Sequence, residues 1–175
     1  MRILVDSNVL CRLARRDDPQ HEEARQAVRI AIEQGTELFV CPQVEREFWA
    51  VATRLRAENG LGMTPQEAAA SLRDWRESVF QFSPDSPAVH ATWEKLVAEH
   101  DVCGKQVHDA AIVAAAKATG MDQVLTFNRE HFQRFEREIA ITTPREIIQE
   151  HQRTQEREQA PTQQQSREHD HGIER

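Results

Sequence analysis

Short, wholly apolar runs alternate with stretches of helical periodicity along most of this chain, and that alternation leaves few folds open. Ile3-Leu4-Val5, Leu38-Phe39-Val40-Cys41, Val124-Leu125 and Ile139-Ala140-Ile141 are too short for helices and too apolar for half-solvated strands. Strands of this kind sit in parallel sheets, where both faces are covered. Phe80 and Phe82 alternate with polar residues and add a fifth, shorter strand candidate. Between the strands, apolar residues recur at helical spacing, as in Ala24, Ala27, Val28 and Ala31 or Val44, Phe48, Val51 and Leu55. The expectation is a mainly parallel sheet of four to five strands with helices on both faces.

Local punctuation supports the same segmentation. Asp17-Asp18-Pro19 ends the first helix, and Gly35 and Gly120 stop two others. Pro42, Pro65 and Pro87 stand where a helix starts well, and Thr64-Pro65-Gln66-Glu67 spells a capping box. Residues 1–148 therefore read as one folded domain. Residues 149–175 are Gln, Glu, Arg and His with almost no apolar side chain, and read as a polar, disordered tail or a frayed end of the last helix. That short last helix opens at Pro144.

Several function classes are set aside at this level. No apolar run reaches the length of a membrane span, and Asp6 interrupts the first run too early for a signal-peptide core, so a cytoplasmic location is expected. Cys11, Cys41 and Cys103 are odd in number and widely spaced, which suits reduced core thiols better than disulfides or zinc. A formal charge of −7 argues against a surface that coats nucleic acid. It leaves room for an acidic metal site that cuts it.

In an open parallel sheet, ligands bind beyond the carboxyl ends of the strands. Asp6 ends the first strand, Glu47 lies one turn into the helix after the second, Asp109 opens the Ala110–Ala118 helix, and Asn128 follows Val124–Phe127. Each has a plain alternative. Asp6 and Asp109 can cap their helices, Glu47 can sit on the surface beside Arg46, and Asn128 can cap the turn at Arg129. Taken singly, the plain account is favoured for Glu47 and Asn128 and balanced for the two aspartates. Taken together, three converging anions would repel one another unless a divalent cation joined them. An all-oxygen donor set selects a hard ion such as Mg²⁺ or Mn²⁺.

The segments ILVDSNVL at 3–10, CPQVEREFW at 41–49, CGKQVHDAAIVAAA at 103–116 and VLTFNREHF at 124–132 carry a resemblance. In that order they resemble PIN-domain proteins, above all the VapC-type toxins of bacterial type II toxin–antitoxin systems. The resemblance covers residues 3 to about 148. It implies a three-layer α/β/α sandwich and a Mg²⁺- or Mn²⁺-dependent endoribonuclease that is a homodimer, acts on RNA and is restrained by an antitoxin protein. On the family pattern Asp6, Glu47 and Asp109 hold the metal and activate water, and Asn128 completes the catalytic set. Glu47 is preferred to Glu45, which the PQVxREF pattern turns away. Many family members carry an aspartate where this chain has Asn128, so a second metal would be held less well.

Other side chains have weaker functional readings. Arg12, Arg15, Arg16 and Lys105 are candidates for steering a phosphate backbone, with Lys105 preferred. His108 adjoins Asp109 and suits packing or a supporting hydrogen bond. Trp49, Trp75 and Trp93 fit core or interface positions, and His169 and His171 a solvated tail. Two rival functions stand beside the nuclease. One is a non-catalytic PIN-fold module that binds RNA or protein, suggested by Asn128 and the acidic charge. The other is a phosphatase using Asp6 as nucleophile, which position 8 disfavours because that chemistry wants aspartate where Asn8 stands.

Overall fold

A computed structural model describes residues 1–159. All five strands are parallel: β1 (Arg2–Val5), β2 (Glu37–Val40), β3 (Gln81–Phe82), β4 (Gln123–Leu125) and β5 (Ala140–Thr142), in the spatial order β3-β2-β1-β4-β5. Ile3, Leu4 and Val5 of central β1 are fully buried, and Leu4 stands beside Phe39 on one side and Val124 on the other. The apolar run thus meets helices on both faces, as its composition demands.

Chain direction across the sheet reverses at β1. From β1 the chain steps outward through α1 (Ser7–Ala14) and α2 (His21–Glu33) to β2, then through α3 (Pro42–Ala52) and α4 (Pro65–Ser78) to β3. It then crosses to the far side of β1 through α5 (Pro87–Glu99) and α6 (Gln106–Ala118), and continues through α7 (Arg129–Phe132) to β5. Right-handed crossovers in opposite directions place the two helix groups on opposite faces. The result is the α/β/α sandwich. Its switch point lies between β1 and β4, where such sheets open a crevice at the strands' carboxyl ends.

Local signals act as their chemistry requires. The Thr64 hydroxyl accepts from the Glu67 amide and the Glu67 carboxylate accepts from the Thr64 amide, so the capping box closes. Gly35 adopts φ +72° just past α2, a backbone that side chains disfavour. Helix α6 buries Ala110 and Ile112 through Ala116, because it is sandwiched between the sheet and α5.

Two expectations are corrected. The last helix, α8 (Pro144–Gln159), is longer than the short helix expected, and residues 149–159 follow the alternative of a continued helix. A Thr143–Glu146 capping box starts α8, Ile147 packs on the core, and the polar stretch beyond is rich in good helix formers laid along α2. Residues 160–175, with His169 and His171, lie outside the described residues. Of the three tryptophans placed at core or interface positions, Trp49 is 37% exposed, Trp75 makes an edge contact with Phe48 at 5.1 Å and Trp93 donates to the Val107 carbonyl at 3.3 Å. Cys41 is buried and Cys11 half-buried, but Cys103 is exposed in the loop before α6. No helix among the described residues is long and apolar enough to cross a membrane.

Candidate metal centre

Asp6 leaves β1 at the switch point, and its amide extends the β1–β4 pairing by donating to the Leu125 carbonyl at 2.9 Å. That bond draws the carboxylate inward until it is 5% exposed. Three neighbours hold it. Oδ2 accepts from Thr126 Oγ1 at 2.7 Å and from Asn8 Nδ2 at 2.6 Å, while Oδ1 lies 3.1 Å from Ser7 Oγ. Asp6 occupies the N-cap position of α1 but makes no capping hydrogen bond with its side chain. The plain account of Asp6 as a cap therefore fails on geometry.

Glu47 reaches the same crevice from α3. The Ser7 hydroxyl donates to Glu47 Oε2 at 2.6 Å and also faces Asp6 Oδ1 at 3.1 Å, so one proton serves two carboxylates. The other Glu47 oxygen accepts from Gln43 Nε2 at 2.8 Å. Glu45 turns away into an ion pair with Arg76 of α4, as the pattern in this segment indicates.

Asp109 lies in the first turn of α6, half-buried. Burial pushes its carboxyl up to about 6, the negative charges of Asp6 and Glu47 push the same way, and His131 and His108 oppose them. Burial also raises the Asp6 carboxyl; the Thr126 bond opposes this and the charge of Glu47 adds to it. The three acids thus sense one another, which is the electrostatic conflict a cation relieves. Among the described residues no three His, Cys, Asp or Glu side chains form a ready-made cage. The donor set nonetheless fits a hydrated hard ion, which keeps several waters and needs only one or two carboxylates directly.

Asn128 stands at the N-cap of α7, but its side chain makes no cap bond and none to the three acids. Its backbone amide donates to Thr126 Oγ1 at 3.0 Å. The structure thus brings Asp6 and Glu47 together through Ser7, sets Asp109 within reach of their charge, and leaves Asn128 linked only through Thr126. Two proposed steering residues serve the fold instead. Arg12 stacks over the Phe127 ring at 4.6 Å and bonds Gln20 and the Asn8 carbonyl, and Arg15 pairs with Asp17. Lys105 is exposed at the N-cap of α6.

Sequence reading missed Ser7, Asn8 and Thr126 as site residues. Their one legible sign is position: two directly follow Asp6, and Thr126 follows the strand beside β1. Asn8 was weighed only as an absent aspartate, yet it ties the two sheet halves, since its Nδ2 donates to Thr126 Oγ1 at 2.9 Å and its Oδ1 accepts from the Phe127 amide at 3.1 Å. Thr126 is fully buried and all its hydrogen-bonding capacity is used. Thr126→Val keeps the shape but strands these partners, and should cost about 2 kcal/mol. At this chain length the thermal midpoint should fall by roughly 4–8 °C. A midpoint unchanged from wild type would show that the hydroxyl is dispensable.

Asp109 also predicts a pH dependence. Its folded pKa is raised from 3.8 to about 6, so the folded state holds this proton more tightly than the unfolded one. Its contribution is fully present below about pH 4 and is lost as pH rises through about 6. Metal-free wild type minus Asp109→Asn, melted across that window, should show a difference that falls with pH and flattens above about 7. A difference that rises with pH would contradict the assignment.

The fold agrees with comparisons to known proteins. The family model described as PIN domain matches residues 3–138. Among solved structures, VapBC2 from Rickettsia felis bound to a promoter DNA fragment is similar at 13% identity and TM-score 0.62, over 82% of this chain and 98% of that one. VapC20 of Mycobacterium tuberculosis, described as a sarcin–ricin loop cleaving toxin, is similar at 17% identity and TM-score 0.57, over 75% and 93%. FitAcB from Neisseria gonorrhoeae is similar at 18% identity and TM-score 0.54, over 81% and 97%. No curated protein matches. At these identities the likeness concerns the fold, and with the family match over most of the chain it places this protein in the PIN domain family.

Proposed function

We propose that this protein is a divalent-cation-dependent endoribonuclease, the toxin of a type II toxin–antitoxin pair. One observation carries the reading: two buried or half-buried acids and a third joined to one of them by Ser7 meet at the switch point of a PIN fold. Asp6, Glu47 and Asp109 would hold Mg²⁺ or Mn²⁺, which when bound supplies positive charge to a phosphoryl group and acidity to an attacking water. Thr126 and Asn8 fix the Asp6 carboxylate so that Oδ2 is committed to two hydrogen bonds, while Oδ1 meets only the longer contact with Ser7. Ser7 and Gln43 hold the Glu47 oxygens in the same way, each oxygen keeping a lone pair for the cation. Asn128 leaves one fewer negative charge here, which favours a single cation.

RNA as substrate is supported by the likeness to VapC20, a sarcin–ricin loop cleaving toxin, and an antitoxin partner by the likeness to VapBC. A homodimer and a cytoplasmic location belong to the same reading. Structured RNA should be cut with Mn²⁺ or Mg²⁺ and left whole with EDTA. Glu47→Gln should cut at least about 10²-fold more slowly. Cleavage that survives EDTA, or proceeds equally in the variant, would sink the proposal. A second reading, a non-catalytic RNA- or protein-binding PIN module, is favoured by the lack of a preformed cage among the described residues. Calorimetry decides between the two: Mn²⁺ heat that vanishes in Asp6→Asn supports the nuclease.

A further inference from the structure

The Gln43 side chain has two partners whose chemistry determines how its amide is turned. Its Nε2 lies 2.8 Å from Glu47 Oε1 and 3.2 Å from His108 Nδ1. A carboxylate oxygen only accepts, so the amide must present its NH₂ group there. The second hydrogen of that group faces the imidazole, and Nδ1 must therefore be the accepting nitrogen. A neutral ring accepting at Nδ1 carries its proton at Nε2. That Nε2–H has no hydrogen-bond partner among the described residues, and the exposed ring adjoins Asp109 in the first turn of α6.

We propose that Gln43 is a positioning residue that holds His108 as a neutral Nε2–H donor at the rim of the acidic crevice, aimed at a phosphate oxygen of bound RNA. This rests on the nuclease reading for its substrate, while the tautomer rests on the geometry alone. It also offsets a difficulty of the site. Three acids repel a phosphodiester, and Arg12 and Arg15 are spent on internal contacts. A ring donor supplied from α6 and oriented from α3 gives the substrate a contact that the acids cannot. Gln43 ties that donor to Glu47, so one side chain sets the spacing between them.

Long-range ¹H–¹⁵N correlation of the His108 ring in the metal-free protein at about pH 8, where an ordinary histidine is neutral, reads the tautomer directly. The expected result is Nε2–H in the wild type and a mixture of both tautomers in Gln43→Leu and Gln43→Ala. With RNA added in EDTA, the His108 Nε2 signal should shift. RNA affinity by fluorescence anisotropy should fall about tenfold in His108→Ala and be largely recovered in His108→Gln, whose amide places an N–H near the same point. An Nδ1–H wild type, a tautomer unmoved by both Gln43 variants, or unchanged RNA affinity in His108→Ala would each overturn the proposal. Cleavage assays with Mn²⁺ on the same preparations judge the nuclease reading separately. Inert protein with the expected tautomer and RNA shift would remove the activity and leave the positioning role standing.

Discussion

Asp6→Asn should nearly abolish metal-dependent RNA cleavage and at the same time make the protein more stable. The carboxylate is 5% exposed and its pKa is raised by burial, so keeping it ionised at neutral pH opposes folding. Asparagine has the same shape. Its oxygen can still accept from Thr126 and Asn8, while its NH₂ replaces the oxygen that lies 3.1 Å from Ser7 Oγ and can donate to it, leaving the Ser7 proton to Glu47 alone. A gain of roughly 1–2 kcal/mol is the scale found when a functional site is relieved of strain. Cleavage should fall about 10³-fold, since a cation contributes several kcal/mol to such a step and would lose a ligand. Thermal melts and cleavage assays on one preparation read both effects. Retained cleavage would show that Asp6 does not hold the cation, and a lower midpoint would show that its hydrogen bonds outweigh the cost of its burial.

Phe48→Ala should be among the most destabilising single changes in the chain, even though its neighbour Trp49 tolerates truncation. Phe48 is fully buried and lies edge-on to Trp75 at 5.1 Å, joining α3 to α4. Removing the ring loses its burial and leaves a cavity in a close-packed interior, together about 3–5 kcal/mol. The midpoint should fall by roughly 10–15 °C. Trp49, 37% exposed on the next position of the helix, should change stability by about 0.5 kcal/mol or less when cut to alanine. Because Glu47 directly precedes them on the same helix, the expected pattern also checks the register of α3. Equal losses at both positions would mean that the helix is turned differently from the structure.

Reading the sequence succeeded where neighbouring residues decide the outcome among themselves. Strand positions were legible because a strand buried on both faces needs a continuous apolar run, and Ile3 to Val5 supplies one. Helix starts at Pro42, Thr64-Pro65 and Ser86-Pro87 were legible because capping is settled within four residues. Glu47 was separated from Glu45 by its place in the family pattern, and the Arg76 ion pair agrees. The length of α8 was not legible, since a polar helix is stabilised by what it lies on, here α2. The exposure of Trp49 was not legible for a related reason: helical spacing marks a stripe but not its edge. Thr126 and Asn8 escaped notice because an isolated threonine or asparagine carries no periodicity, and their role exists only across the β1–β4 junction.

The sequence by itself determined the element types, the parallel character of the sheet and the set of acids from which a metal site could be drawn. These depend on period, capping and composition, which neighbouring residues decide among themselves. Only the tertiary structure decided that Asp6 is buried and held by Thr126 rather than capping α1, that Ser7 joins it to Glu47, and that Gln43 turns toward His108. The partners in those contacts lie 120, 40 and 65 residues apart, apart from the neighbouring pair Asp6 and Ser7. What brings them together is the reversal of strand order at β1, a property of the whole chain that no local pattern contains.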